Sequence, residues 1–400
     1  MITIEKVKDA AEKLKKIARK TDLIHATGLS KNSTVYLKAE NLQVTGSFKV
    51  RGAYVKIAGL SEEQKTKGII ACSAGNHAQG VALSAQKSKI SSTIFIPSTA
   101  PISKIEATRK YGATIRLVDG VYDDAYNEAV KFQKETGAEF IHPFDDVDVI
   151  AGQGTIALEI LEQLPDTEAV VVPIGGGGLI SGIAYVIKTL KPDCKVYGVQ
   201  AAGAGSMYHS IEQHKRIELP TVSTFADGTA VKMPGVNTFD FCEKYVDKIV
   251  TVTDDEVATA ILSLMEKHKL VAEGAGALSV AAAMFNKLPI ENKKTVCVVS
   301  GGNIDVNILS RVISRGLLKS GRIADITIEM LDKPGQLKEV SRIIADLGAN
   351  VIRVRHNQGG ENTDINDCYL KITMETKNLR HVCEIKHALF NAGYKLTEER

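Results

Sequence analysis

From Ile69 to Ser300 short, unbroken apolar runs alternate with stretches whose apolar residues recur at helical spacing. The runs Ile69–Ser73, Thr93–Ile96, Thr114–Val118, Ala169–Pro173, Val196–Val199 and Thr295–Ser300 predict strands buried on both faces. Between them, His77–Lys87, Lys104–Tyr111, Asp123–Thr136, Leu179–Leu190, Asp255–His268 and Gly276–Asn286 predict helices. Upstream, Val7–Ala18 reads as a helix, Val35–Ala39 as a strand and Ser47–Leu60 as another helix. This alternation predicts an α/β fold with mainly parallel sheets in three-layer arrangement. Gly203–Gly235 is less regular and reads as a long functional loop.

The pattern changes near Gly321. Ala324–Leu331 predicts a strand, Gln336–Leu347 a helix ended by Gly348, and Asn350–His356 a second strand. A polar turn at Gln358–Thr363 leads to a strand at Asp367–Thr376, a helix at Leu379–Ala392 and a short last strand after Gly393. This order is a β-α-β-β-α-β, ferredoxin-like α+β unit. It contains no nucleophile-base arrangement and reads as a regulatory or binding module.

Composition narrows the class. The 400 residues suggest two or three domains, and a formal charge of +3 gives no support for a nucleic-acid or membrane partner. No apolar run reaches the eighteen or so residues of a membrane span. The amphipathic N-terminus is not a signal peptide. The six cysteines are dispersed without a CxxC pair, as expected of reduced thiols in the cytoplasm. Nine histidines show no metal-type spacing, so no metal site is expected, and His77 and His142 read as packing residues.

Four segments carry candidate chemistry. In Leu42–Gly52, Lys49 stands between Phe48 and Val50 after the turn-prone Thr45-Gly46-Ser47. Such a lysine either snorkels to the surface or is a desolvated amine able to form a Schiff base. Gly175-Gly176-Gly177-Gly178 follows a buried strand and opens a helix. There converging N–H groups and the positive helix end suit a phosphate. It is neither a Walker A loop nor a dinucleotide fingerprint. Ser73-Ala74-Gly75-Asn76-His77 lies at a similar junction, able to hold a small carboxylate or simply to cap a helix. A serine-hydrolase elbow fails, since Ala71 stands where glycine is required. Val299-Ser300-Gly301-Gly302-Asn303 is a third polar strand end, where ligands of parallel sheets gather, or a plain turn.

Together these segments resemble the serine/threonine dehydratases of the tryptophan-synthase-β type (fold type II) of pyridoxal-phosphate enzymes. The matching stretches are Lys38–Ala53, Cys72–Ala82, Pro173–Gly182 and Val299–Asn303, in family order, and the likeness covers roughly Ile4–Arg315. The tail, with D-x-P-G at Asp332–Gly335, resembles an ACT domain, an amino-acid-sensing module. The resemblance implies a catalytic domain over 1–320, its smaller subdomain (about 45–145) inserted in the larger, and an ACT domain over 321–400.

The resemblance also implies roles. Lys49 would hold pyridoxal 5'-phosphate as a Schiff base and then abstract the substrate Cα proton. Phe48 would lie against the pyridine ring, Asn76 would bond its phenolic oxygen, and Ser300 would face the ring nitrogen. Gly175, Gly176, Gly177, Gly178 and Leu179 would hold the phosphate. Ser73, Ala74, Gly75, Asn76 and His77 would bind the substrate carboxylate. The implied reaction is β-elimination from L-threonine to 2-oxobutanoate and ammonia, with L-serine to pyruvate as a weaker activity, serving isoleucine biosynthesis or threonine catabolism. Isoleucine or valine is the implied effector, and a homodimer or homotetramer the implied assembly.

Two departures qualify the likeness. Serine racemases of this type carry a second serine where Ala74 stands, so racemisation should be poor. They also bind a divalent cation through carboxylates that Gln200–Tyr208 lacks, so catalysis should need no divalent metal. A monovalent cation on carbonyls is compatible with the same segment. Alternatives are an L-serine dehydratase, a β-replacement synthase of the same fold such as threonine or cysteine synthase, or a non-catalytic amino-acid sensor.

Overall fold

The computed structural model describes residues 2–30, 32–358 and 366–397. The chain divides into two compact units, Met1–Ile308 and Leu309–Arg400.

In the first unit the strands are β1 (Leu23–His25), β2 (Thr34–Lys38), β3 (Ile69–Cys72), β4 (Ser92–Pro97), β5 (Thr114–Val118), β6 (Glu139–Phe140), β7 (Ala169–Pro173), β8 (Lys195–Ala201), β9 (Lys248–Val252) and β10 (Lys294–Val298). They form a six-stranded sheet, ordered β1-β2-β10-β7-β8-β9, and a four-stranded sheet, ordered β5-β4-β3-β6. Every pairing is parallel except β1 with β2. The all-buried runs of β3 and β7 are what a sheet covered on both faces requires.

Helix Val147–Gln163 was not foreseen, and it is central. It is buried nearly all round, so it lacks the one-sided apolar stripe by which a surface helix is recognised. Its start is nonetheless written locally: the Asp146 carboxylate caps it by accepting from the amides of Asp148 and Val149. The segment read as a loop over Gly203–Gly235 contains a short helix, Ser206–Glu212. Helix Val236–Tyr245 and strand β9 follow it. The helix expected over Asp255–His268 is α-helical to Ser263 and widens into a π turn at Leu264–His268.

The second unit has β11 (Ile323–Leu331), β12 (Asn350–Gln358), β13 (Asp367–Glu375) and β14 (Lys395–Thr397) in one antiparallel sheet ordered β12-β13-β11-β14. Helices Gln336–Asp346 and Leu379–Asn391 complete a β-α-β-β-α-β unit around Ile328, Val340, Leu370 and Ile385. Of the turn expected at Gln358–Thr363, Gly359 to Thr363 lie outside the described residues. Among the described residues, no helix is long and apolar enough to cross a membrane.

Candidate active site

The site is built where strands of both parallel sheets end. Two backbone hydrogen bonds place Lys49 there. The amide of Phe48 donates to the Ser300 carbonyl at 3.1 Å, and that of Gly302 to the Gly46 carbonyl at 2.9 Å. Gly46 holds φ +72° with its Cα hydrogen against Asn303, where a Cβ would meet Oδ1 at 2.3 Å. Helix Lys49–Ala58 then starts at the lysine itself. Helix Asn76–Ser88 approaches so closely that a Cβ on Gly80 would lie 3.1 Å from the Lys49 carbonyl carbon.

The Lys49 ammonium donates to the Pro143 carbonyl at 2.9 Å and lies 5.3 Å from the Phe48 ring centre. Some of its side chain remains accessible along the cleft, yet the amine is enclosed deeply enough that burial lowers it to about 8, against the opposing charge of Glu273. An amine near 8 is partly neutral at physiological pH and so nucleophilic. Of the two readings of Lys49, its enclosure agrees better with a desolvated amine than with a snorkelling surface residue.

Glu273 escaped the sequence reading. Its buried carboxylate accepts from Asn76 Nδ2 at 2.6 Å, and Asn76 Oδ1 in turn accepts from Asn303 Nδ2 at 2.8 Å. Asn303 Nδ2 also donates to the Thr45 carbonyl at 2.7 Å. The chain of bonds leaves one orientation for the Asn76 amide, with its second N–H free. Burial raises Glu273 to about 7, with Asp227 adding to the rise. The signal that could have found it is a lone acid opening the small-residue run Glu273-Gly274-Ala275-Gly276-Ala277.

The glycine run opens helix Gly178–Leu190 directly after β7. Phe144 explains two of its members: a Cβ on Gly176 would meet the Phe144 ring at 2.4 Å, and one on Gly178 its carbonyl oxygen at 2.8 Å. Gly177 adopts φ +98°. Gly175 abuts Thr229, and Leu179 is buried in the main core. Thr238 Oγ1 donates to the Gly176 carbonyl at 2.6 Å, turning that oxygen away from the loop's donors. The amides of Gly175, Gly176 and Gly177 have no acceptor among the described residues. Grouped orphan donors at a helix start are a cradle for an anion.

Ser300, nearly fully buried, follows β10, and its hydroxyl lies 3.4 Å from the Ala275 carbonyl. The neighbouring Ser47 hydroxyl is buried without a partner among the described residues. Ser73, Ala74, Gly75 and Asn76 are part-exposed at the start of their helix, and Ser73 Oγ accepts from the Gly75 amide at 3.2 Å. His77 is not part of that accessible surface. Its ring is buried, with Nε2 2.7 Å from the Ile141 carbonyl, and burial, reinforced by Lys49, lowers it to about 3. It is a neutral packing residue whose side chain does not face the cleft. A buried amine, orphan anion donors and a small hydroxyl together fit a phosphorylated aldehyde.

Beneath the lysine lies a buried ion network. Arg51 Nη2 and Nε donate to the Glu40 carboxylate, both at 2.8 Å, and Nη1 donates to Glu159 at 2.6 Å. Lys38 Nζ donates to the other Glu159 oxygen at 2.7 Å and to Gln163 at 2.9 Å. Two cations balance two carboxylates, so this network is closed and structural.

The pyridoxal-phosphate dependent enzyme family matches residues 14–302. An L-threonine ammonia-lyase of Thermotoga maritima is 50% identical over 398 residues, covering 99% of both chains. One from Geobacter sulfurreducens is 43% identical over 98% of each. Among solved structures, the processed form of threonine deaminase isoform 2 from Solanum lycopersicum superposes with a TM-score of 0.73 at 37% identity, covering 78% of this chain and 89% of that one. With its lysine, orphan amides and glycine loop in one cleft, the chain belongs to the family of pyridoxal-phosphate dependent enzymes.

Proposed function

We propose that this chain is a pyridoxal-phosphate dependent threonine ammonia-lyase, converting L-threonine to 2-oxobutanoate and ammonia and L-serine more slowly to pyruvate. The observation that carries the reading is the amine of Lys49, lowered to about 8 at the meeting point of three strand ends. The full-length likeness to two L-threonine ammonia-lyases supports the choice of substrate.

When bound, the cofactor supplies an electron sink for charge developing at the substrate Cα. The residues supply the rest. Lys49 would anchor the cofactor and, as a free amine, take the Cα proton at Nζ; its desolvation would keep the amine neutral enough to do so. Phe48 would stand beside the ring. The free amides of Gly175, Gly176 and Gly177, with those of Gly178 and Leu179 in the first helical turn, hold the phosphate. Asn76, oriented by Glu273 and Asn303, offers its remaining N–H to the phenolic oxygen. Ser300 is a neutral partner for the ring nitrogen. A neutral hydroxyl there would not hold that nitrogen protonated, which would favour expulsion of the β-hydroxyl over transamination. Ser73, Ala74, Gly75 and the backbone of Asn76 and His77 take the substrate carboxylate. Ala74 offers no acid or base on the opposite face, so racemisation is slow.

The second unit reads as an ACT domain that binds isoleucine or valine. The Asp332–Gly335 turn, with Gly335 at φ 93°, leads directly into helix Gln336–Asp346 and supports this. The exposed edge strand β12 suits side-by-side pairing of two copies in a dimer or tetramer.

The test is 2-oxo acid formation from L-threonine and L-serine by the intact enzyme, with Lys49→Ala as control, repeated with isoleucine and valine. Faster 2-oxobutanoate than pyruvate formation, abolished in the variant, is expected. Bound cofactor with no 2-oxo acid from either substrate would contradict the reading.

A further inference from the structure

In the second unit, strand periodicity brings three unlike donors together. Met330 of β11 pairs with Cys368 of β13, so Asp332, two residues beyond Met330, continues on the face of Cys368. On the other side His356 of β12 pairs with Leu370, two residues beyond Cys368 and again on that face. His356 and Cys368 are therefore diagonal neighbours, a spacing long side chains bridge. A carboxylate oxygen of Asp332, a ring nitrogen of His356 and Cys368 Sγ lie within 4.8 Å of one another. No sequence spacing announces this, because each donor comes from a different strand or its end.

Cys368 differs from three of the other buried thiols. Cys72, Cys194 and Cys297 each donate to a backbone carbonyl. Cys368 is fully buried, and its thiol has no hydrogen-bond partner among the described residues. Burial pushes that thiol up and the Asp332 and Asp367 carboxylates add to the rise; it is the charge of those carboxylates that a bound cation would offset. Outside the three donors, Gln358 Nε2 donates to the second oxygen of Asp332, fixing the carboxylate as outer-shell partners of metal ligands do.

We propose that Asp332, His356 and Cys368 form a binding site for a zinc-class divalent cation. Sulfur, imidazole and carboxylate together are the donor set such an ion selects over magnesium or calcium. Bonds of about 2.0–2.3 Å need donors about 3.5 Å apart. His356 Nε2 and Asp332 Oδ1 already lie at 3.5 Å, with Cys368 Sγ within 4.8 Å of both. On binding, the S–H bond breaks, the sulfur–metal bond forms and the proton leaves to solvent. Asp332 and His356 are both solvent-accessible, so the ion can enter, and the fourth position is left to water. Ion binding there neither enters the elimination chemistry nor requires that the unit sense an amino acid.

The test is equilibrium dialysis of the intact holoenzyme against zinc, and titration with cobalt(II) read at wavelengths beyond the cofactor's absorption. One zinc per chain and tetrahedral cobalt bands are expected. His356→Ala, an accessible change that leaves the core untouched, should weaken binding at least about 10-fold, and Cys368→Ser at least as much. Cys383→Ser, a change at an exposed cysteine of the same unit, should leave it unaltered. Binding below one ion per chain, or binding indifferent to both His356→Ala and Cys368→Ser, would overturn the proposal.

Discussion

Asn76 Nδ2 donates to Glu273 Oε1 at 2.6 Å, across 197 positions of sequence. The bond gives a buried acid, raised to about 7, control over the amide near Lys49. The ionised carboxylate also favours the protonated form of Lys49. Glu273→Gln keeps an acceptor for Asn76 but removes the charge, so Lys49 should titrate below its native value of about 8. Lysine attack requires the neutral amine. The rate at which the cofactor-free enzyme takes up pyridoxal phosphate should therefore rise with pH through about 8, and through a lower pH in Glu273→Gln. Coincident pH profiles would remove Glu273 from this role.

The same depressed amine costs stability. Lys49 falls from 10.5 to about 8 on folding, so below pH 8 the native state holds a proton that the unfolded chain holds more tightly. The penalty is fully present below about pH 8 and fades as pH rises towards 10.5. Lys49→Met should then stabilise the cofactor-free chain at pH 7 by up to about 3 kcal/mol, less where solvent along the cleft screens the amine. Denaturant unfolding at pH 7 and pH 10 measures it. The gain should shrink at the higher pH.

Phe144 and Gly176 form a second dependency. A methyl group at 176 would sit 2.4 Å from the ring, which cannot yield without disturbing the cradle. Gly176→Ala should cost about 1–3 kcal/mol and weaken cofactor retention. Adding Phe144→Ala should return part of the stability. Thermal melting and cofactor dialysis of the two variants check this, and an undisturbed Gly176→Ala would contradict it.

The network under the site predicts the largest stability loss. Arg51 is paired with both Glu40 and Glu159 and is 1% exposed. Arg51→Met leaves the balance one positive charge short among buried carboxylates and should cost about 3–5 kcal/mol in denaturant unfolding. A loss below about 1 kcal/mol would mean water reaches these groups.

What was legible in the sequence follows from how locally it is written. Lys49, the Gly175–Gly178 run and Ser300 lie in contiguous segments at strand ends, where apolar run, turn and polar cluster can be read together. Helix Val147–Gln163 was missed because a helix buried on nearly every side loses its period. With it went Glu159 and Gln163, two of the network's three side-chain acceptors named above. Glu273 was invisible for a different reason. Its meaning comes from Asn76 and Gly301, neither near it in sequence. His77 agrees with its reading as a packing residue: it sits inside a motif that faces the cleft, and its ring turns inward to Ile141.

The most direct test of the account is reduction of the holoenzyme with borohydride, followed by proteolysis and mass analysis of the labelled peptide. The account predicts one phosphopyridoxyl group per chain, carried by Lys49, and none in Lys49→Ala. A label on any other lysine, or an unlabelled chain that still yields 2-oxobutanoate from L-threonine, would contradict it.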